Sequence, residues 1–307
     1  MSLPQFILPS LLIPEVYGPW KAQKGFVPTQ MEAAAREGFF RSFEVGSAHD
    51  EQDRAAIKRI VLDHGIYLSC WQTDLLDAEQ LDLTAIDDTL RQRSVEVVKK
   101  NLPIVAETGA RTVSFIGGPD PGAALRERGY EALYRSMSAL CAEAADFGMS
   151  VMFEPLDRFA HKKRLVGPTV EILPVFARIK AEHPNFGMAF DTAHAALNEE
   201  DIKASLRLAK DQIVNVHLSN AVLDSRSPLY GDHHMPPGAP GFLTVERAAA
   251  IIAEIAQHAI GREQGLPIAI ESRARPGEAE QAMANLTTVF LKDALAEASR
   301  LCAARAG

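Results

Sequence analysis

Four short apolar runs along this chain each end in a side chain able to bind a metal ion. Val151-Met152-Phe153 ends in Glu154, Met188-Ala189-Phe190 in Asp191, Val214-Asn215-Val216 in His217, and Ile268-Ala269-Ile270 in Glu271. Runs this short, bounded by polar loops, read as buried strands rather than helices. Four successive strand ends meet on one face when the strands run parallel and close into a barrel. That requirement constrains the fold more than any other feature of the sequence.

The rest of the chain keeps the same rhythm. Residues 5–13, 40–46, 67–72 and 111–117 read as four earlier strands. Helical segments follow them at about 28–38, 53–64, 86–108 and 126–147, and others near 169–182, 199–208, 244–258 and 278–304 alternate with the ligand-bearing runs. Gly38, Gly65 and Gly148 punctuate three of these segments. Eight strands, each followed by a helix, predict an α/β protein with the (β/α)8 barrel architecture over residues 1–307 as a single domain. A doubly wound sheet is the alternative, but it gathers functional residues at one switch point. The loop Gly117-Gly118-Pro119 reads as a turn rather than a phosphate cradle, because no Lys-Ser/Thr pair follows it.

The net charge of -8 gives a nucleic acid or an anionic membrane no general attraction. Three cysteines, Cys70, Cys141 and Cys302, are too few and too scattered for a disulfide framework. No apolar run reaches the ~20 residues of a membrane span, and Met1-Ser2-Leu3-Pro4 has no basic leader. The expectation is a cytoplasmic protein with a small-molecule partner. Whether it forms a homo-oligomer or takes a small partner subunit is left open.

Three carboxylates and one imidazole form a hard donor set. It suits one divalent ion, Mn²⁺ first, with Mg²⁺, Co²⁺ or Zn²⁺ as alternatives, better than a structural zinc. Two open positions on such an ion accept a vicinal hydroxyl and carbonyl, which acidifies the C–H between them. Glu154 and Glu271 are the candidate acid and base. A second cluster follows the seventh strand in Tyr230-Gly231-Asp232-His233-His234, and His194 lies three residues after Asp191. His194, Asp232 and His234 are open to three roles: a second metal, hydrogen bonds behind the first, or substrate hydroxyls. His161 and Lys162 lie on the loop after Glu154, and histidine is a side chain suited to moving a proton near neutral pH. Trp71, Lys162 and Arg226 complete the expected substrate contacts.

On these residues the sequence resembles the xylose-isomerase-like TIM-barrel superfamily of sugar phosphate isomerases and epimerases. The resemblance runs nearly the length of the chain and rests on Glu154, Asp191-x-x-His194, His217, Glu271 and Asp232-x-His234. It implies one divalent ion on the Glu-Asp-His-Glu set, a proton exchanged by Glu154 and Glu271 through an enediolate, and substrate contact by His194. The superfamily's zinc nucleases carry histidines at the ends of strands three and four. Here those ends read Ser69-Cys70-Trp71-Gln72 and Ser114-Phe115-Ile116-Gly117. Its ketose 3-epimerases carry a glutamate and an arginine where this chain has Ala160 and Leu223, with Arg226 or Arg158 left to replace the arginine. The loops are most similar to a bacterial subgroup that includes enzymes cleaving 3-keto-glycosides and C-glycosides by elimination. In that subgroup a histidine seven residues after the first glutamate is the proposed base, the spacing of His161. The expected function is therefore a metal-dependent sugar isomerase or epimerase. A keto-glycoside lyase with His161 as base is the alternative, and a non-catalytic sugar-binding module is the second.

Overall fold

The computed structural model describes residues 3–47 and 50–304; Met1 and Ser2, part of the N-terminal stretch read above, lie outside them. Eight parallel strands close into a barrel: β1 (Ile7–Leu12), β2 (Ser42–Val45), β3 (Tyr67–Trp71), β4 (Thr112–Ile116), β5 (Ser150–Glu154), β6 (Phe186–Asp191), β7 (Ile213–Val222) and β9 (Leu266–Glu271). Each pairs in parallel with its neighbour, and β9 returns to β1 to complete the ring. This is a single-domain TIM barrel.

Side chains on a strand alternate between its two faces. The outward set, including Leu11, Phe43, Leu68, Val113, Phe115, Phe153, Phe190, Val216 and Ile270, packs with the helices into one continuous core. The inward set is smaller and more polar. Leu12, Trp71, Met152, Ala189 and Ala269 form a separate inner cluster. On β2, β3 and β4 the hydroxyls of Ser42, Ser69 and Ser114 are buried without a protein partner. A greasy sheath thus holds the barrel together, and its lumen is left for polar groups.

Several connections differ from the sequence reading. The stretch after the seventh strand that carries Asp232 and His234 contains a ninth strand, β8 (Gly231–Met235). It folds back antiparallel on the extended outer half of β7, pairing Asn220 with Met235. This hairpin arm stands outside the closed ring. A short helix, Thr192–Leu197, follows β6 directly, and the last helix begins at Ala282 rather than near 278. Among the described residues no helix is long and apolar enough to cross a membrane.

Candidate metal centre

Glu154, Asp191 and Glu271 end β5, β6 and β9, and His217, in the middle of the longer β7, falls at the same level of the barrel. In register, Asp191 lies opposite His217, and Ser219 lies opposite Glu271. One donor atom from each of Glu154, Asp191, His217 and Glu271 falls within 4.8 Å of the others, and all four residues are buried. His217 Nδ1 is 3.2 Å from Glu154 Oε1 and 3.6 Å from Glu271 Oε2. The Ser219 hydroxyl lies between Asp191 and Glu271, donating to Glu271 Oε2 at 2.9 Å. Asp191 serves twice, because its Oδ1 also caps the helix Thr192–Leu197 by accepting the His194 N–H at 2.9 Å.

Three buried carboxylates this close repel one another, and protons relieve the repulsion. Burial and the charges of Glu271 and Glu154 push the Asp191 carboxyl up to about 8. Burial works against the charge on His217, yet Glu44, Glu154 and Glu271 hold its pKa well above the ordinary histidine value. The Glu271 carboxyl is held well below its ordinary range by His234 and His217, against the cost of its burial. A divalent cation supplies the same charge relief as two such protons, and metal binding at a site of this kind releases protons. The donor set fits a hard or borderline divalent ion.

The ring of His217 is fixed from behind. Its Nε2 lies 2.9 Å from Glu44 Oε2, and the Trp71 indole N–H donates to the same oxygen at 2.7 Å. Glu44 is fully buried in mid-strand β2, and Ser10 Oγ donates to its Oε1 at 3.1 Å. A carboxylate behind a ligand histidine sets its tautomer and basicity. Glu44→Gln is therefore expected to weaken Mn²⁺ affinity by about 10–100-fold with little change in melting temperature. A metal titration checks this; unchanged affinity would remove Glu44 from the centre.

A second polar cluster sits on the hairpin arm beside the first. His234 Nδ1 is 3.2 Å from Glu15 Oε2 and 3.1 Å from Glu271 Oε1, and its Nε2 is 3.2 Å from Asp232 Oδ2. Lys162 Nζ approaches Asp232 Oδ2 at 3.1 Å and His234 Nε2 at 3.2 Å. Arg273 grips both oxygens of Glu15, at 2.6 and 2.8 Å. His194 Nδ1 meets Asp157 Oδ1 at 3.1 Å. Burial disfavours charge on His194, but Asp191, Asp157 and Asp232 raise its pKa to about 9. Asp157 Oδ2 also accepts the N–H groups of His161 and Lys162, at 2.6 and 2.8 Å. One buried carboxylate thus anchors both the β5 loop and the His194 ring.

Above the quartet opens a cavity of about 570 Å³, lined among others by Trp71, Glu154, Lys162, His194, His217, His234 and Glu271. Asp191 is not on its surface. Two expected contacts lie elsewhere. Arg226 sits on an exposed tip, its side chain 88% accessible and paired with Asp224 at 3.0 Å, so it does not reach the cavity. His161 is exposed, does not line the cavity, and packs against His233 with ring centroids 4.5 Å apart and planes tilted by 42°. The Gly117-Gly118 turn offers no free phosphate cradle, since the Gly118 N–H donates to Thr84 Oγ1 at 3.0 Å.

Glu44, Glu15, Asp157 and Arg273 were not anticipated as site residues. A lone glutamate inside Ser42-Phe43-Glu44-Val45 was a usable signal, because an unpaired carboxylate has no place in a barrel interior. Glu15 follows the end of β1 by three residues, and nothing local marks its reach across to β8.

A family model described as xylose isomerase-like TIM barrel matches residues 31–289. A comparison with curated proteins returned no match. Among solved structures, L-ribulose 3-epimerase superposes with a TM-score of 0.71 at 18% identity, covering 98% of each chain. The 3-keto-D-glucoside 4-epimerase YcjR from E. coli gives 0.65 at 16% identity, covering 93% of this chain and 99% of its own. The IolI protein, with a bound zinc atom, gives 0.70 at 11% identity, covering 96% of this chain and 99% of its own. At these identities the structures testify to the fold.

Proposed function

This chain belongs to the xylose isomerase-like TIM-barrel family, and on that premise we propose that it is a divalent-metal-dependent sugar isomerase or epimerase. The observation that carries the reading is the division of the quartet. Glu154 and Glu271 line the cavity, whereas Asp191 lies beneath its surface. They stand on β5 and β9, the outer two of the four ligand strands, and so flank a bound sugar from two sides.

The ion, Mn²⁺ first and Mg²⁺, Co²⁺ or Zn²⁺ otherwise, would be held by Glu154, Asp191, His217 and Glu271 and would supply Lewis-acid polarisation of a substrate carbonyl. One glutamate removes the proton from the carbon beside the carbonyl, and the other returns a proton from the opposite side. Trp71, Leu12, Ile116 and Leu156 offer an apolar wall for a sugar ring. Lys162, His194 and His234 offer polar contacts for its hydroxyls. The occupant is a monosaccharide or glycoside of the kind named for the epimerase neighbours. The position of His161 gives the elimination reading no support.

The test is incubation of the Mn²⁺-loaded protein with ketopentoses, ketohexoses and 3-keto-glucosides in D₂O. The expected result is deuterium at the carbon beside the carbonyl, together with the epimer or isomer, and loss of both with a chelator. Absence of exchange across the panel with metal bound would overturn the reading in favour of a sugar-binding module.

A further inference from the structure

Basic side chains around the cavity are almost all committed. Lys21 pairs with Asp74 at 2.8 Å, Lys162 with Asp232, and Arg273 with Glu15. Arg275 donates to the carbonyl of His233 at 2.5 Å. Arg164 is the exception. It lines the cavity, makes no side-chain hydrogen bond or ion pair among the described residues, and buries its Nε without a partner.

An unpartnered buried guanidinium nitrogen is costly, and in a folded protein it calls for an explanation. The backbone around Arg164 is firmly held, which excludes an idle loop as that explanation. Its N–H donates to Asp157 O at 3.2 Å, it bridges Pro119, and the adjacent Leu165 N–H donates to Gly118 O at 3.1 Å. Gly118 in turn is held by Thr84. A rigid backbone therefore presents one free guanidinium to a sugar-sized cavity, on a chain whose net charge is -8.

We propose that Arg164 is a specificity residue for an oxyanion, a carboxylate or a phosphate, carried by the sugar substrate at a position away from the reacting carbon. The planar fork of a guanidinium matches either group with two parallel hydrogen bonds. The proposal rests on the reading of the cavity as a sugar site and narrows its substrate class to acidic sugars.

Binding calorimetry with D-glucuronate, D-glucose 6-phosphate and D-glucose tests it without turnover, on the protein with Mn²⁺ and again with EDTA. At least one acidic sugar is expected to bind about tenfold or more tightly than glucose, and which one identifies the group. Arg164→Met should bring that sugar to the affinity of glucose, Arg164→Lys should keep part of the preference, and Arg275→Met should keep all of it. Equal affinity for the three sugars, no binding of any, or a preference unchanged in Arg164→Met would overturn the proposal. A preference seen only with Mn²⁺ would do the same, by assigning it to the ion. Loss of deuterium exchange with the preference intact would reject the proposed reaction alone.

Discussion

Replacing Asp191 with alanine is expected to give a folded barrel that no longer retains a divalent ion and has no activity. Asp191 touches the quartet but not the cavity surface, so its loss removes a donor without altering the substrate walls. The metal should also stabilise the wild-type protein measurably. An ion at a thousand times its dissociation constant adds about 4 kcal/mol to the folded state, and this gain should vanish in Asp191→Ala and shrink in Asp191→Asn, whose neutral amide oxygen is a weaker donor. Full occupancy by elemental analysis in Asp191→Ala would refute the assignment.

The asparagine variant has a further signature in metal-free protein. The Asp191 carboxyl has an ordinary value of 3.8 and is pushed up to about 8 in the fold. Between those values the folded state holds a proton that the unfolded state has lost. The contribution of Asp191 to stability therefore falls as pH rises through that window. Asparagine does not titrate and keeps an oxygen for the His194 N–H. Metal-free Asp191→Asn should thus gain in melting temperature relative to metal-free wild type as pH goes from about 4 to about 8. Parallel melting curves across that range would show that Asp191 carries no such proton.

Glu154→Gln and Glu271→Gln are each expected to lower turnover by about 10²–10⁴-fold while Mn²⁺ at high concentration still binds, since an amide oxygen remains a donor. His161→Ala is expected to cost less than about tenfold, outside the range of a lost general base. The contrast separates two chemistries with the same first step. In epimerisation the glutamates remove and return the proton, whereas in elimination a base elsewhere acts and a leaving group departs. Steady-state rates for the three variants decide it. A drop of about 10²-fold or more for His161→Ala, with free aglycone as product, would move the assignment to the lyase.

The fold and the four converging donors were legible because both follow from periodicity. Short apolar runs at βα spacing predict the barrel, and a ligand at the end of each run predicts the convergence. What lay outside that logic was less legible. Glu44 sits in mid-strand, where strand-end reasoning does not look, although its charge among apolar neighbours marked it. Arg226 was expected near the substrate as a replacement for the arginine that the resembling 3-epimerases carry where this chain has Leu223. The β7–β8 hairpin carries that stretch outward, and Asp224 holds it at an exposed tip. His161 has the right spacing from Glu154, but Asp157 draws its backbone inward while its ring turns onto His233. Distances along a loop do not fix the direction of a side chain at its end.

The hairpin arm divides the labour of this molecule between two inheritable parts. All four quartet residues stand on the closed ring, where each strand is pinned on both sides. Asp232 and His234 stand on β8, which pairs with β7 alone. A change of sequence on the arm can therefore remodel what the cavity accepts without breaking barrel closure or removing a quartet donor. For protein engineers, β8 and the β5 loop facing it are the segment to randomise when new cavity ligands are sought, with the ring left untouched. A lineage of such barrels could diverge in diet while keeping its chemistry.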